Sequence, residues 1–274
     1  MKSVRSIALG AFDGIHLGHR ALIDRADAVA VIEKGAVLTP GKKRCEFAKK
    51  PCYFFDLDSI RHLDAKGFVE LLERTFGQLE KVVVGYDFAF GKDRRYSIED
   101  LRRHFKGEVE VVDEVKVDGI SVHSRTIKEL LKEGRVKEAA RLLGRCYEIE
   151  GEPVRGQGLG SRELVPTLNL EVKNYLLPKE GVYLTCTEGH PSLTFIGRRS
   201  TDGAFSVESY LLAGEPPKKG PVRVAFVEYL RPNRHFDDLA ALRRQIESDI
   251  AKAKERFDAL FADPDFRRLC GCRA

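Results

Sequence analysis

Ten residues, GAFDGIHLGH at positions 10–19, constrain this chain more than any other stretch. They follow a short apolar run at 7–9 and precede a segment with a helical look at 20–30, so the order reads strand, tight loop, helix. Gly10, Gly14 and Gly18 permit backbone angles and close approaches that a side chain forbids. A phosphate chain can then lie against main-chain amides where the helix begins. His16 and His19, three residues apart, face the same loop, and each can donate a hydrogen bond to a phosphate oxygen. Charge collects on such oxygens when an α-phosphorus is attacked and pyrophosphate departs, so positioning and charge stabilisation suffice without a covalent nucleophile. The plain alternative is a glycine-rich turn with two surface histidines. The full pattern, H-x-G-H after Phe12-Asp13-Gly14, is much more specific than glycine spacing alone.

A chain of 274 residues is long enough for two domains, each with a core of its own. Its formal charge of +5 suits small anions such as ATP, and no dense Lys/Arg run interleaved with aromatics points to nucleic acid. The apolar run at 7–12 is too short for a signal segment or a membrane span, which predicts a cytoplasmic protein. Six cysteines, at 45, 52, 146, 186, 270 and 272, form no C-x-x-C framework, so reduced thiols are expected. Cys270 and Cys272 offer a metal only two ligands and are expected to do nothing special.

Residues 28–32, 36–39 and 54–57 read as short strands, and 42–50 as a basic, irregular connection. Phe68, Val69, Leu71, Leu72 and Phe76 fall near helical spacing and predict a helix over 66–76, after which 81–84 returns to strand. This alternation predicts an α/β fold, a doubly wound parallel sheet with its ligand at the carboxyl ends of the strands. Ser97, with Asp100 three residues on, predicts a capped helix over 97–105, followed by a strand at 109–112. Two helices parted at Gly134 are expected next.

From about Glu148 the texture changes to short β-like runs separated by Gly and Pro, which predicts a small antiparallel β-barrel. The domain boundary is expected near Tyr147, giving domains 1–147 and 148–274. In RGQGLGSRELVPTLNL, Gly156, Gly158 and Gly160 form a loop able to fold over phosphates. Thr167 and Asn169 are neutral oxygen donors that hard Mg²⁺ accepts once nucleotide phosphates and water complete its shell. The plain reading is that both simply hydrogen-bond a turn after Pro166. In FSVESYLL, alternation places Glu208 on the face opposite Val207 and Ser209. A strand at 222–229 and a helix at 240–260 follow, the latter with a packing stripe of Leu242, Ile246, Ile250 and Phe257. The tail past Pro264 carries no assignment.

GAFDGIHLGH resembles the H-x-G-H nucleotidyltransferase signature in the variant found in the bacterial bifunctional riboflavin kinase/FMN adenylyltransferase (FAD synthetase) family. GYDFAFGKDRR is similar to the family's GxDFxFGxxR segment, with Gly85, Asp87, Phe88, Phe90, Gly91 and Arg94 matching, while Lys92 and Arg95 read as solvated. Where relatives carry Ser-Ser-Thr-Arg-Ile-Arg, this chain has His123, Ser124, Arg125, Thr126 and Ile127, so arginine and threonine have exchanged places. Ala11 stands where many relatives have Asn. Pro166-Thr167-Leu168-Asn169 matches the P-T-x-N signature of riboflavin kinases, preceded by Leu164 and Val165 in place of the usual Gly-Phe. LRPNRHF resembles L-R-x-E-x-x-F, with Arg231 and Phe236 kept and Asn233 replacing the acid.

The resemblance covers roughly residues 5 to 255, with gaps mainly between Asp24 and Lys66. It implies catalysis by His16, His19 and Glu208, the last as base toward the ribityl hydroxyl. It implies nucleotide binding by Gly10, Phe12, Asp13, Gly14, Gly18, Ser124, Arg125 and the three loop glycines. Flavin contacts fall to Asp87, Phe88, Phe90, Arg94 and Arg231, and Mg²⁺ to Thr167 and Asn169. The implied activity is ATP-dependent phosphorylation of riboflavin to FMN, then adenylylation of FMN to FAD. Two alternatives stay open: a riboflavin kinase whose first domain is inactive or serves another substrate, and a flavin-sensing protein without catalysis.

Overall fold

The structure is a computed structural model that describes residues 4–154, 166–199, 203–215, 220–236 and 238–273. By internal contacts the chain divides into two compact units between Thr126 and Ile127.

The first unit carries β1 (Ser6–Gly10), α1 (Leu17–Ile23), β2 (Ala28–Glu33), α2 (Lys43–Ala48), β3 (Cys52–Asp56), α3 (Leu57–Ile60), α4 (Ala65–Phe76), β4 (Lys81–Gly85), α5 (Ile98–His104) and β5 (Glu108–Val112). A short hairpin, β6 (Lys116–Val117) with β7 (Ile120–Ser121), follows them. The five long strands form one parallel sheet in the order β3-β2-β1-β4-β5. Its central strands read as unbroken apolar runs because both faces are covered. Ile7, Leu9, Ala30 and Val84 face Phe68 and Leu72 on one side. Ala8, Val29, Val31 and Val83 face Ile23 and Phe12 on the other. Strand order reverses between β1 and β4, which opens a crevice at the carboxyl end of β1, where residues 10–19 begin.

Ser97 and Asp100 form the expected capping box on α5. Three local expectations fail. Residues 36–39 form no strand, and the basic segment 42–50 contains α2. Lys43, Arg44, Glu46 and Ala48 favour helix, and tertiary contacts fix so short a segment, with Arg44 and Ala48 turned inward and the Arg20 guanidinium donating to the carbonyls of Phe47 and Ala48. Helix α1 begins earlier than expected and ends at Ile23, because the chain must already be extended at Ala28 to pair with β1.

The second unit contains the remainder of α6 (Ser124–Lys132) and α7 (Val136–Leu143). A closed antiparallel barrel follows, built from β8 (Tyr147–Val154), β9 (Leu168–Val172), β10 (Gly181–Thr187), β11 (His190–Arg198), β12 (Phe205–Leu211) and β13 (Val222–Arg231), in the order β10-β11-β12-β9-β8-β13. α8 (Leu239–Phe261) and α9 (Pro264–Cys270) complete the unit. Val182, Leu184, Cys186, Leu193 and Ala225 point outward and are covered by Ala253, Phe257 and Phe266 of these helices. The opposite face lines the barrel interior, where Thr185, Thr187, Ser192, Thr194 and Ser209 are fully buried. Their hydroxyls satisfy one another at 2.7–3.2 Å, so no polar group there is stranded.

The cysteine expectation is corrected here. Cys146 is bonded to Cys270 and Cys186 to Cys272, with Cα separations of 4.8 and 5.6 Å. The tail therefore staples α9 to the barrel. Packing of Phe266 against Phe257 and Phe261 brings the four sulfurs together. Only Cys45 and Cys52 stay free, and burial pushes the Cys52 thiol up to about 12. Among the described residues no helix is long and apolar enough to cross a membrane.

Candidate functional site

In the first unit the loop after β1 is held in a conformation that few side chains tolerate. Phe12 and Ile15 are both non-glycine residues with positive φ, 54° and 41°, and both are buried. Such strain persists only where surroundings over-determine it. Three braces are visible. Asp13 Oδ1 accepts from the backbone amides of Leu38 (2.8 Å) and Thr39 (3.1 Å). Ser124 Oγ donates to the Asp13 carbonyl at 2.6 Å. The fully buried Arg44 donates to the Ala11 carbonyl at 3.0 Å, to the Gly41 carbonyl and to Glu33, and lies over the Phe54 ring.

His16 caps α1, its Nδ1 accepting from the His19 amide at 3.2 Å. An accepting Nδ1 carries no proton, so the neutral ring presents Nε2–H as a donor. The His19 ring stacks on it, centroids 3.5 Å apart, with the Phe12 edge against its side. Gly18 is closely enclosed: a Cβ there would press to 3.2 Å on both the His16 ring and the Val122 carbonyl, which would have to give by a few tenths of an ångström. Gly10 ends β1 and Gly14 occupies the turn. Sequence reasoning thus places two imidazoles together, while Arg44 gave no signal within its run of basic residues.

Ser124 touches the loop, whereas Arg125 is exposed and has no ion-pair partner among the described residues. Beside it, Tyr86, Glu114 and His123 form a surface cluster, Tyr86 Oη lying 3.3 Å from Glu114 and 3.2 Å from His123 Nε2. Hydrogen bonds from Ser121 and Lys116 hold the Glu114 carboxyl down at about 2. In the segment after β4, Asp87 and Phe88 sit at the strand end and Arg94 donates to the Asp87 carbonyl at 2.8 Å. Phe90 is instead a core residue, packed on Phe68 at 4.9 Å.

In the barrel, β9 and β12 pair so that Asn169 stands directly opposite Glu208. Alternation puts Thr167 on the same face. Thr167 Oγ1 donates to Glu208 Oε2 at 3.4 Å, and Ser206 Oγ donates to Oε1 at 2.9 Å. The carboxylate is half-buried, and Arg199 Nη1 lies 3.6 Å from Oε1. A hydroxyl that gives its one proton to Glu208 keeps its lone pairs for a cation. Thr167 and Asn169 thus fit a hard metal better than any His/Cys/Asp/Glu cluster, of which the described residues contain none. Gly156, Gly158, Gly160, Leu164 and Val165 lie outside the described residues.

Arg231 has a different engagement. Its guanidinium forms a buried fork with Asp249 of α8, at 2.7–3.0 Å, and Gln245 donates to the same carboxylate at 2.9 Å. Asp249 was not foreseen, since an isolated acid in a long helix reads as solvated. Asn233 Nδ2 donates to the Ile196 carbonyl at 3.0 Å and closes on Gly197, which leaves no room for a side chain there.

Residues 143–257 match the riboflavin kinase family and residues 2–40 the FAD synthetase family. A bifunctional riboflavin kinase/FMN adenylyltransferase of Listeria monocytogenes is 31% identical over 292 residues, which cover 93% of each chain. The chain belongs to this bifunctional riboflavin kinase/FMN adenylyltransferase family. Another member, from Pseudomonas fluorescens, is 29% identical and covers 90% of this chain and 91% of its own. Among solved structures, one titled as a macrolide-efflux protein of Streptococcus pneumoniae superposes with a TM-score of 0.81 at 24% identity, over 93% of this chain and 95% of that one. At that identity it speaks for the fold alone, a parallel-sheet unit followed by a barrel.

Proposed function

We propose that this chain makes flavin cofactors in two steps. The barrel transfers the γ-phosphoryl group of ATP to riboflavin, giving FMN and ADP. The sheet unit transfers the adenylyl group of a second ATP to FMN, giving FAD and pyrophosphate. By activity, we assign the first step to residues 148–274 and the second to 1–147. The observation that carries the reading is the β9–β12 register, which sets Glu208 against Asn169 and Thr167 on one face.

In the kinase step the Glu208 carboxylate accepts the proton of the ribityl primary hydroxyl as that oxygen attacks the γ-phosphorus. The bond from the γ-phosphorus to the bridging oxygen breaks, and ADP leaves. Thr167 and Asn169 would hold Mg²⁺, which neutralises phosphate charge when bound. The loop of Gly156, Gly158 and Gly160 is proposed to cover the phosphates. In the adenylyl step a phosphate oxygen of FMN attacks the α-phosphorus, and His16 Nε2–H and His19 donate to the oxygens on which charge grows. Ser124 supports the loop from behind, with Gly10, Phe12, Asp13, Gly14 and Gly18 shaping it and Arg125 free to reach the triphosphate. Asp87, Phe88 and Arg94 are proposed to meet the flavin, and Arg231 to serve it indirectly by anchoring α8 on β13. ATP, riboflavin, FMN and FAD are the ligands, and the cytoplasm, where nucleotides are abundant, is the proposed location.

The test separates the two steps. With riboflavin, ATP and Mg²⁺, His16→Ala should accumulate FMN without FAD. Glu208→Ala should make no FMN yet convert supplied FMN to FAD. Should wild-type protein stop at FMN, the first unit is inactive or serves another substrate.

A further inference from the structure

We propose that Arg199 is a positioning residue for phosphoryl transfer, fixing one oxygen of Glu208 so that the other accepts the ribityl proton. This rests on the reading of Glu208 as the base. Arg199 follows β11 directly, and its backbone extends the β11–β12 ladder: its amide donates to the Ala204 carbonyl at 2.9 Å, and its carbonyl accepts from the Gly203 amide at 3.0 Å. Because Arg198 pairs with Phe205, Gly197 with Ser206 and Phe195 with Glu208, the residues facing one way across the two strands are Arg199, Ala204, Gly197, Ser206, Phe195 and Glu208.

Gly197 therefore lies between Arg199 and the row of Glu208. Arg199 reaches back along this face and brings Nη1 within 3.6 Å of Glu208 Oε1. The two side chains are only 22% and 20% exposed, so this is not the solvated pair that contributes little. Ser206 donates to the same Oε1 at 2.9 Å. The Ser206 hydrogen bond and the Arg199 charge, both on Oε1, orient the carboxylate. Among the described residues Oε2 has only the long 3.4 Å bond from Thr167, and it is the oxygen left for an incoming hydroxyl. Sequence reading missed Arg199 because an Arg-Arg pair before a polar turn looks solvated.

The test measures both activities of the intact chain in the variants Arg199→Ala, Arg199→Gln and Arg199→Lys. For FMN formation, Arg199→Ala should lower kcat about 10- to 100-fold, with KM for riboflavin and for ATP each within about threefold. Arg199→Lys should fall between it and the parent. Added guanidinium chloride at low millimolar concentration should restore part of the lost kcat in Arg199→Ala but none in Glu208→Ala. FAD formation from supplied FMN should stay unchanged in all three variants, which reports an intact chain. A kcat within about twofold of the parent, or a loss carried by KM alone, overturns the proposal. If Arg199→Ala fails to fold, Arg199→Gln decides by the same criteria. If Glu208→Ala keeps kinase activity, the reading of the base falls instead, so the two failures are distinguishable.

Discussion

In the sheet unit the reactive groups hang on a loop whose backbone is bent to hold them, whereas in the barrel they stand on neighbouring strands whose pairing is regular. Phe12 and Ile15 hold positive φ beside His16 and His19, a cost of about 1–3 kcal/mol each. Distant braces offset it: Leu38, Thr39, Arg44 and Ser124 all reach the same short loop. Around Glu208 the strand register does the positioning without such strain. The contrast extends to cross-links. The barrel unit closes two disulfides over its C-terminal helices, while the sheet unit keeps Cys45 and Cys52 free. One site depends on many weak long-range props, and the other on a closed topology secured at its end.

The largest effect should come from the barrel's buried ion pair. Asp249→Ala leaves the Arg231 guanidinium uncompensated and should cost about 3–5 kcal/mol in denaturant unfolding of the barrel transition, with the sheet unit's transition unmoved. Coupled loss in both transitions would break the comparison. Next, Cys186→Ser should remove one staple and cost about 2–4 kcal/mol in the same transition. Intact-mass spectrometry of the unreduced parent should show the loss of four hydrogens that two disulfides require. On the other side, Ser124→Ala deletes the 2.6 Å bond to the Asp13 carbonyl. FAD formation should fall about tenfold, corresponding to about 1.4 kcal/mol, with FMN formation unchanged in the same assay.

The smallest effect is a pH dependence. Burial alone would raise the Glu228 carboxyl, but hydrogen bonds from Lys137 and Arg256 outweigh it and hold it below the usual range. A carboxylate held down when folded stabilises above its ordinary value of 4.5 and loses that contribution as pH falls below it. Glu228→Gln should therefore flatten the barrel's melting temperature against pH below about 4.5 and leave the sheet unit's profile alone.

Much of the fold was legible because its signals are local. Apolar runs marked β1, β2 and β4, Ser97 and Asp100 marked α5, and Gly134 marked the break between α6 and α7. His16 with His19, and Thr167 with Asn169, were legible for the same reason, each pair falling within one turn or one strand. What could not be read depends on partners remote in sequence. Cys146 and Cys270 are 124 residues apart, and no spacing rule joins them. The basic run of α2 read as a solvated connection although Lys43, Arg44, Glu46 and Ala48 favour helix, and its packed inner face meets partners remote in sequence. Arg231 matched a motif, yet its partner Asp249 lies 18 residues on, on another element. Phe90 carries the family's aromatic, but its ring belongs to the core.

The central claim is that one chain holds two independent phosphate-handling sites acting in series. The most direct measurement is a time course of wild-type protein with riboflavin, excess ATP and Mg²⁺, resolving flavins and nucleotides by chromatography. FMN should rise first and then decline as FAD accumulates, with one ADP released per riboflavin consumed and one pyrophosphate per FAD formed. FMN that accumulates without FAD, or riboflavin that remains unchanged, would contradict it.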